Sequence, residues 1–197
     1  MKKGCNINIY GHTYARYGEA RYQKMKEHGY DCVDFSLAGT GDPFYTLPQD
    51  ESDAILRHEA ELAAAAGIEI YQTHGPWRWP SQDATEEDRA ERMEKMKKSI
   101  RMTSVLGCKN WVIHPIMPYG TYEKGKPEAE LTWELNRSFM GELLQEAKKY
   151  DVTICFENMP MRQFSMGAPS DVLRFVKEMN DDHFMMCFDT GHVSVFP

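Results

Sequence analysis

The sequence predicts a parallel α/β fold of the (β/α)8 barrel type, incomplete, with about six βα units present. Three observations predict it. Apolar, strand-like runs alternate with helix-like stretches along the whole chain, which implies parallel strands joined by right-handed crossovers. Four of those runs share one grammar, in which the apolar residues lead to a His or a carboxylate and then to a Gly or Pro turn. They are Gln72-Thr73-His74-Gly75-Pro76, Val112-Ile113-His114-Pro115, Cys155-Phe156-Glu157-Asn158-Met159-Pro160 and Cys187-Phe188-Asp189-Thr190-Gly191-His192. Finally, Ile9-Tyr10-Gly11-His12-Thr13 after the first run is no Gly-rich phosphate loop, which disfavours a doubly wound sheet. Barrels carry their chemistry at the carboxyl ends of many strands, and so does this chain.

The strand-like runs are Asn6–Tyr10, Cys32–Leu37, Ile68–Thr73, Asn110–Ile116, Thr153–Glu157 and Phe184–Asp189. A short helix is expected over Gly18–His28, ending at Gly29. Asp50–Ala66 opens with acids and stops at Gly67, as a C-cap requires. Thr85–Leu106 begins Thr85-Glu86-Glu87-Asp88, a capping-box-like start with acids at the positive end of the helix dipole, and stops at Gly107. Within it Met93, Met96, Ile100 and Thr103 recur at helical spacing and read as core. Pro127–Lys149 and Ser170–Met179 complete the set, the last with Ser170 as its N-cap. No linker, low-complexity tract or charge block interrupts the pattern, so residues 1–197 read as one domain.

The bulk properties narrow the function classes. With 42% apolar and 27% charged residues, 197 residues suffice for a real core. The net charge of −7, without a Lys/Arg run longer than two, disfavours a nucleic-acid partner. No signal-like or membrane-spanning apolar segment is present, so neither a membrane partner nor secretion is expected. Five scattered cysteines without a CxxC read as buried thiols suited to the cytoplasm.

Glu157 and Asp189 end two apolar runs, where an unpaired buried charge would be costly. They read as hard oxygen ligands sharing a divalent cation, against the simpler alternative of helix caps or rim acids. His192, three residues beyond Asp189, can reach the same crevice, and His74 and His114 hold equivalent places on the third and fourth strands. Trp77, followed by Arg78 and Trp79, offers an aromatic face to a sugar or simply packs its loop. His28, His58 and His183 read as bystanders, and His12 stays open.

Together with Gly29-Tyr30-Asp31-Cys32-Val33-Asp34-Phe35, the strand-end motifs resemble the sugar phosphate isomerase/epimerase family, the xylose-isomerase-like TIM barrels, over nearly the whole chain. The resemblance implies that Glu157 and Asp189 bind a divalent metal (Mn, Mg, Co or Zn) and that His192 contacts substrate or metal. The same superfamily includes zinc-dependent apurinic endonucleases, in which histidines matching His74 and His114 bind additional metals. The family's strand-seven His and strand-eight Glu have no counterpart before Pro197. Since such barrels need ~250 residues, the chain is expected to be a piece of a longer product.

These readings converge on a metal-dependent isomerase or epimerase acting on a sugar or sugar phosphate through an enediolate. Glu157 would serve as ligand and base, with His192, His74, His114 and Trp77 contacting substrate. An apurinic endonuclease-like phosphodiesterase, a polyol dehydratase and an inactive fragment are the alternatives. An unclosed sheet would leave two exposed edges, which admit a homo-oligomer.

Overall fold

In the computed structural model, residues 1–11, 17–39, 41–77, 79–81 and 83–196 are described. Six strands form one parallel sheet in sequence order: β1 (Gly4–Asn6), β2 (Cys32–Ser36), β3 (Glu69–His74), β4 (Asn110–Ile113), β5 (Thr153–Glu157) and β6 (Phe184–Cys187). Helices occupy every crossover: α1 (Arg21–Glu27), α2 (Pro43–Thr46), α3 (Gln49–Ala65), α4 (Glu86–Val105), α5 (Glu128–Lys149) and α6 (Pro169–Met179). A final turn, α7 (Thr190–Val193), follows β6. This is the TIM-barrel order, with β1 and β6 left as the two edges among the described residues.

The helix signals act as their chemistry requires. Thr85 caps α4 by accepting a hydrogen bond from the Asp88 amide at 3.1 Å, and Glu86, Glu87 and Asp88 fill the first turn. Gly67 and Gly107, at φ of 66° and 71°, stop α3 and α4 in a conformation that costs glycine little. Met93, Met96, Ile100 and Thr103 are all buried, as their spacing predicts. The core lies between the outer sheet face and the helices. There Phe156 stacks on Phe175 with centroids 5.1 Å apart and meets Phe184 at 5.5 Å.

Several boundaries differ from expectation. The first strand is Gly4–Asn6 rather than Asn6–Tyr10, and Ile7–Ile9 form a 3-10 turn. Asn6 is the reason: its side chain accepts the Asn8 amide at 2.9 Å and turns the chain, burying Ile7 and leaving Ile9 exposed. Ser170 lies inside α6 instead of capping it, because Pro169 opens the helix and Ala168 takes the cap position without a side-chain bond. Strand β6 stops at Cys187 instead of Asp189, since Asp189 caps α7.

One irregularity positions the chemistry. Between β2 and β3 the register shifts, with Val33 paired to Ile70 and Asp34 to Gln72, so Tyr71 has no partner. The bulge reverses the facing of everything after it. Ile70 packs outward with Val33 and Phe35, whereas His74, four residues on, turns inward beside Asp34. In a regular strand the two would share a face.

Candidate metal centre

At the carboxyl ends of the strands a crevice of about 320 Å³ is lined by His74, Trp77, His114, Glu157, Asp189 and His192, with Met159 and Met161 on one wall. All six residues singled out in the sequence therefore meet in one place. A larger hollow of about 680 Å³ opens elsewhere, lined by Lys2, Gly4, Cys32 and Tyr71 among others, and gathers no comparable set of ligands among the described residues.

Glu157 is the hub. Its side chain, the last of β5, is 4% exposed. The Nε2 atoms of His114 and His74 lie 2.6 and 3.4 Å from its Oε2. Despite that proximity, among the described residues Oε2 has no aligned hydrogen bond, and the buried His114 Nδ1 has no partner either. Ring nitrogens crowded against an unbonded carboxylate oxygen have the arrangement of ligands converging on one cation. A buried anion with neither an aligned donor nor an ion is costly. The structure thus fits a metal at this point, and a donor set of two imidazoles and a carboxylate suits zinc and its neighbours better than calcium.

Glu157 also belongs to a second group. It forms one three-residue set with His74 and His114 and another with Asp189 and His192, the ligand atoms of each lying within 4.8 Å of one another. Asp189 is fixed by its cap: one oxygen, Oδ1, accepts the His192 amide at 2.9 Å, leaving Oδ2 beside His192 Nδ1 at 3.6 Å. The cap and the ligand readings of Asp189 are thus compatible. His192 Nδ1 donates to the Asn158 carbonyl at 2.8 Å, so Nε2 is its free ring nitrogen.

Charge follows from these neighbours. Burial pushes the Glu157 carboxyl up, but the imidazoles of His114 and His74 outweigh it and hold the group well below the usual carboxylate range. Burial pulls His74 down, yet Asp34 and Glu157 together raise it to about 10. His114 is deeper, and burial wins over Glu157, lowering its pKa.

Packing directly after His74 is tight. The next residue, Gly75, presses its backbone onto β4, where a Cβ would lie 2.7 Å from the Trp111 ring and 2.8 Å from Ile113. Trp77 meets the His114 ring edge-on at 5.2 Å and stacks with Trp79 at 6.2 Å. Trp79 is 57% exposed and does not line the crevice. Arg78 and His12 lie outside the described residues. His28, His58 and His183 pair elsewhere, with Tyr10, Glu19 and Asp151. All five cysteines are free, with Cys32 and Cys108 buried and the others half-buried.

Sequence reasoning missed two contributors, Asp34 and Asn158. Asp34 sits among the apolar residues of β2 and touches His74 Nδ1 at 3.1 Å. Asn158 is fully buried and bonded to Asp189. A lone carboxylate inside the apolar run Cys32–Leu37 was the available signal, since such a group must find a partner.

No curated protein sequence matches the chain. Among solved structures, a D-tagatose 3-epimerase-like protein is 24% identical with a TM-score of 0.73, the match covering 98% of this chain and 66% of that one. A D-psicose 3-epimerase determined in the presence of D-fructose is 15% identical with a TM-score of 0.73, covering 100% and 66%. The IOLI protein, determined with a zinc atom, is 21% identical with a TM-score of 0.72, covering 98% and 64%. The chain spans about two thirds of the length of these structures, which share its fold. The family described as xylose isomerase-like TIM barrel matches residues 22–196, and this chain belongs to it.

Proposed function

We propose that the protein is a metal-dependent isomerase or epimerase of a small sugar or sugar phosphate, with residues 1–197 acting as one domain. The observation that carries this reading is the placement of Glu157, an almost fully buried carboxylate shared by two three-ligand groups at the strand ends. Structural neighbours support it: two are sugar 3-epimerases or like them, and one was determined with zinc. Glu157 and Asp189 hold the cation in this reading, and His74 and His114 are placed to join them. The bound ion would polarise adjacent substrate oxygens and offset the negative charge that develops when a neighbouring C–H proton leaves.

The chain's own groups then divide the work. Glu157, kept anionic by its imidazole neighbours, accepts the proton on one side of the substrate carbon. His192 offers Nε2 to a hydroxyl, held in that tautomer by the Asn158 carbonyl. Trp77 and the Met159–Met161 wall exclude water from one side of the crevice. The five free thiols agree with a reducing cytoplasmic setting. In the described residues no helix is long and apolar enough to cross a membrane.

A second reading draws on one specific observation, the His74–His114–Glu157 group, whose donors suit a zinc-dependent phosphodiesterase acting on abasic DNA. The test is exchange of a carbon-bound proton with deuterated solvent across ketoses and their phosphates, with and without divalent metal. Cleavage of an abasic-site duplex runs beside it. Metal-dependent exchange that is lost in Glu157→Gln supports the isomerase reading. Strand cleavage without exchange on any sugar replaces it with the second.

A further inference from the structure

His74 is gripped from both sides. Its Nε2 faces Glu157 Oε2 at 3.4 Å, and its Nδ1 lies 3.1 Å from Asp34 Oδ2 on the neighbouring strand β2. Asp34 is itself seated by Asn6, whose Nδ2 donates to the same oxygen at 2.9 Å. The other carboxylate oxygen, Oδ1, is buried and has no hydrogen-bond partner among the described residues. A carboxylate so placed needs a positive or strongly donating neighbour, and His74 is the ring that faces it.

We propose that Asp34 is a positioning residue for the metal centre: by holding the proton of His74 on Nδ1, it leaves the Nε2 lone pair aimed at the cation shared with Glu157. The inference rests on the metal reading above. The geometry gives it a direction and a reason. An imidazole can ligate through either nitrogen, and the hydrogen bond made by one nitrogen decides which remains free. A carboxylate behind the ring also makes the ligating nitrogen more basic. His114 supplies the contrast, for its Nδ1 is buried without a hydrogen-bond partner among the described residues, so no carboxylate there fixes that ring. The bulge at Tyr71 belongs to the same device. By turning His74 to the inner face it brings the ring within hydrogen-bond reach of Asp34 instead of into the helical layer.

The experiment combines zinc titration with NMR of nitrogen-15-labelled histidine, on the 197-residue chain and on Asp34→Asn and Asp34→Glu. In the wild type, the His74 Nδ1 proton should exchange slowly and its Nε2 resonance should move on adding zinc. Asp34→Asn should keep the far-UV dichroism, lose the protected Nδ1 proton and bind zinc about 10- to 100-fold more weakly. Asp34→Glu, which restores the carboxylate, should recover part of that loss. A merely structural Asp34 would lower the unfolding midpoint and leave both zinc affinity and the His74 resonances unchanged, which overturns the proposal. Should Asp34→Asn fail to fold, Asn6→Ala frees the same carboxylate to swing. A several-fold loss of zinc affinity there supports the role, and none contradicts it. If the wild type takes up no zinc, the metal reading falls. The metal-free spectra then decide the tether alone: a protected Nδ1 proton lost in Asp34→Asn upholds it, and one that persists overturns it.

Discussion

Asn158 holds the main chain of Asp189 by both of its polar groups. Its Oδ1 accepts the Asp189 amide at 2.8 Å, and its Nδ2 donates to the Asp189 carbonyl at 3.1 Å. One fully buried side chain thus extends the β5–β6 pairing beyond the last strand residue, Cys187, and sets Glu157 and Asp189 at fixed separation. Asn158→Ala removes both bonds and leaves two backbone groups short of partners, at about 1–3 kcal/mol for each left unsatisfied in the interior. The expected outcome is a clear loss in urea-unfolding free energy together with weaker zinc binding, since Asp189 is released. A variant with unchanged midpoint and affinity would show that the grip is incidental.

Gly75 offers a packing test. A methyl group there would lie 2.7 Å from the Trp111 ring, a side chain that is itself fully buried and bonded through Nε1 to Ser99 at 2.9 Å. Neither can yield cheaply. Gly75→Ala should destabilise by about 1–3 kcal/mol, the usual range for overpacking a filled core. Because Gly75 follows His74 directly, the strain should also swing that ring from Glu157. Unfolding curves and zinc titration measure the two effects on one sample, and a stability within error of wild type would contradict the close packing.

Metal uptake should be coupled to protons, with a sign that the buried charges dictate. In the metal-free chain His74 is raised to about 10, so it is protonated near neutral pH, whereas His114, lowered by burial, is already neutral. Ligation through His74 must then expel about one proton, and apparent zinc affinity should rise about tenfold per pH unit from neutrality toward 10. Calorimetry in buffers of different ionisation heat counts that proton directly, and a count of zero would exclude His74 as a ligand. The stability linkage runs the other way. The raised His74 stabilises the metal-free fold fully below its ordinary pKa of 6.5, and that contribution is lost as pH climbs through about 10.

The architecture and the convergence of polar strand ends were legible because they are local. Strand-end grammar placed His74, His114, Glu157 and Asp189 in one crevice, and Gly67, Gly107 and Thr85 marked helix ends by chemistry that acts within a few residues. What escaped the sequence was not local. The bulge that turns His74 inward arises from pairing between β2 and β3, and a regular alternation places Ile70 and His74 on one face. Asp34 and Asn158 gained their roles from partners 40 and 31 residues away. Asn6 misled for the opposite reason: a short-range side-chain cap overrode an apolar run that read as strand.

The open sheet makes a claim about association. β1 and β6 both lack an outer neighbour among the described residues, and near β6 Met185 and Phe188 are 46% and 55% exposed. Unpaired strand edges with apolar side chains beside them invite pairing with another chain. Sedimentation of the 197-residue polypeptide should show association that grows with concentration, reduced by Phe188→Lys. A monomer that persists at high concentration would refute the idea.

The last prediction turns on the sharing of Glu157. Because this residue belongs to both candidate ligand groups, Glu157→Gln should weaken any metal binding at both, the amide being a poorer ligand than the carboxylate. Asp189→Asn should impair only the group that contains His192, and His114→Ala only the group that contains His74. Measured as zinc stoichiometry and affinity, the three variants therefore give different patterns. If both groups hold metal at once, wild type binds up to two ions, each outer variant retains one, and Glu157→Gln loses most of both. If only the Glu157–Asp189 pair holds the ion, His114→Ala and His74→Ala leave zinc affinity nearly intact and act on sugar binding instead. Strong zinc binding in Glu157→Gln would defeat both arrangements, since each places that carboxylate at the centre.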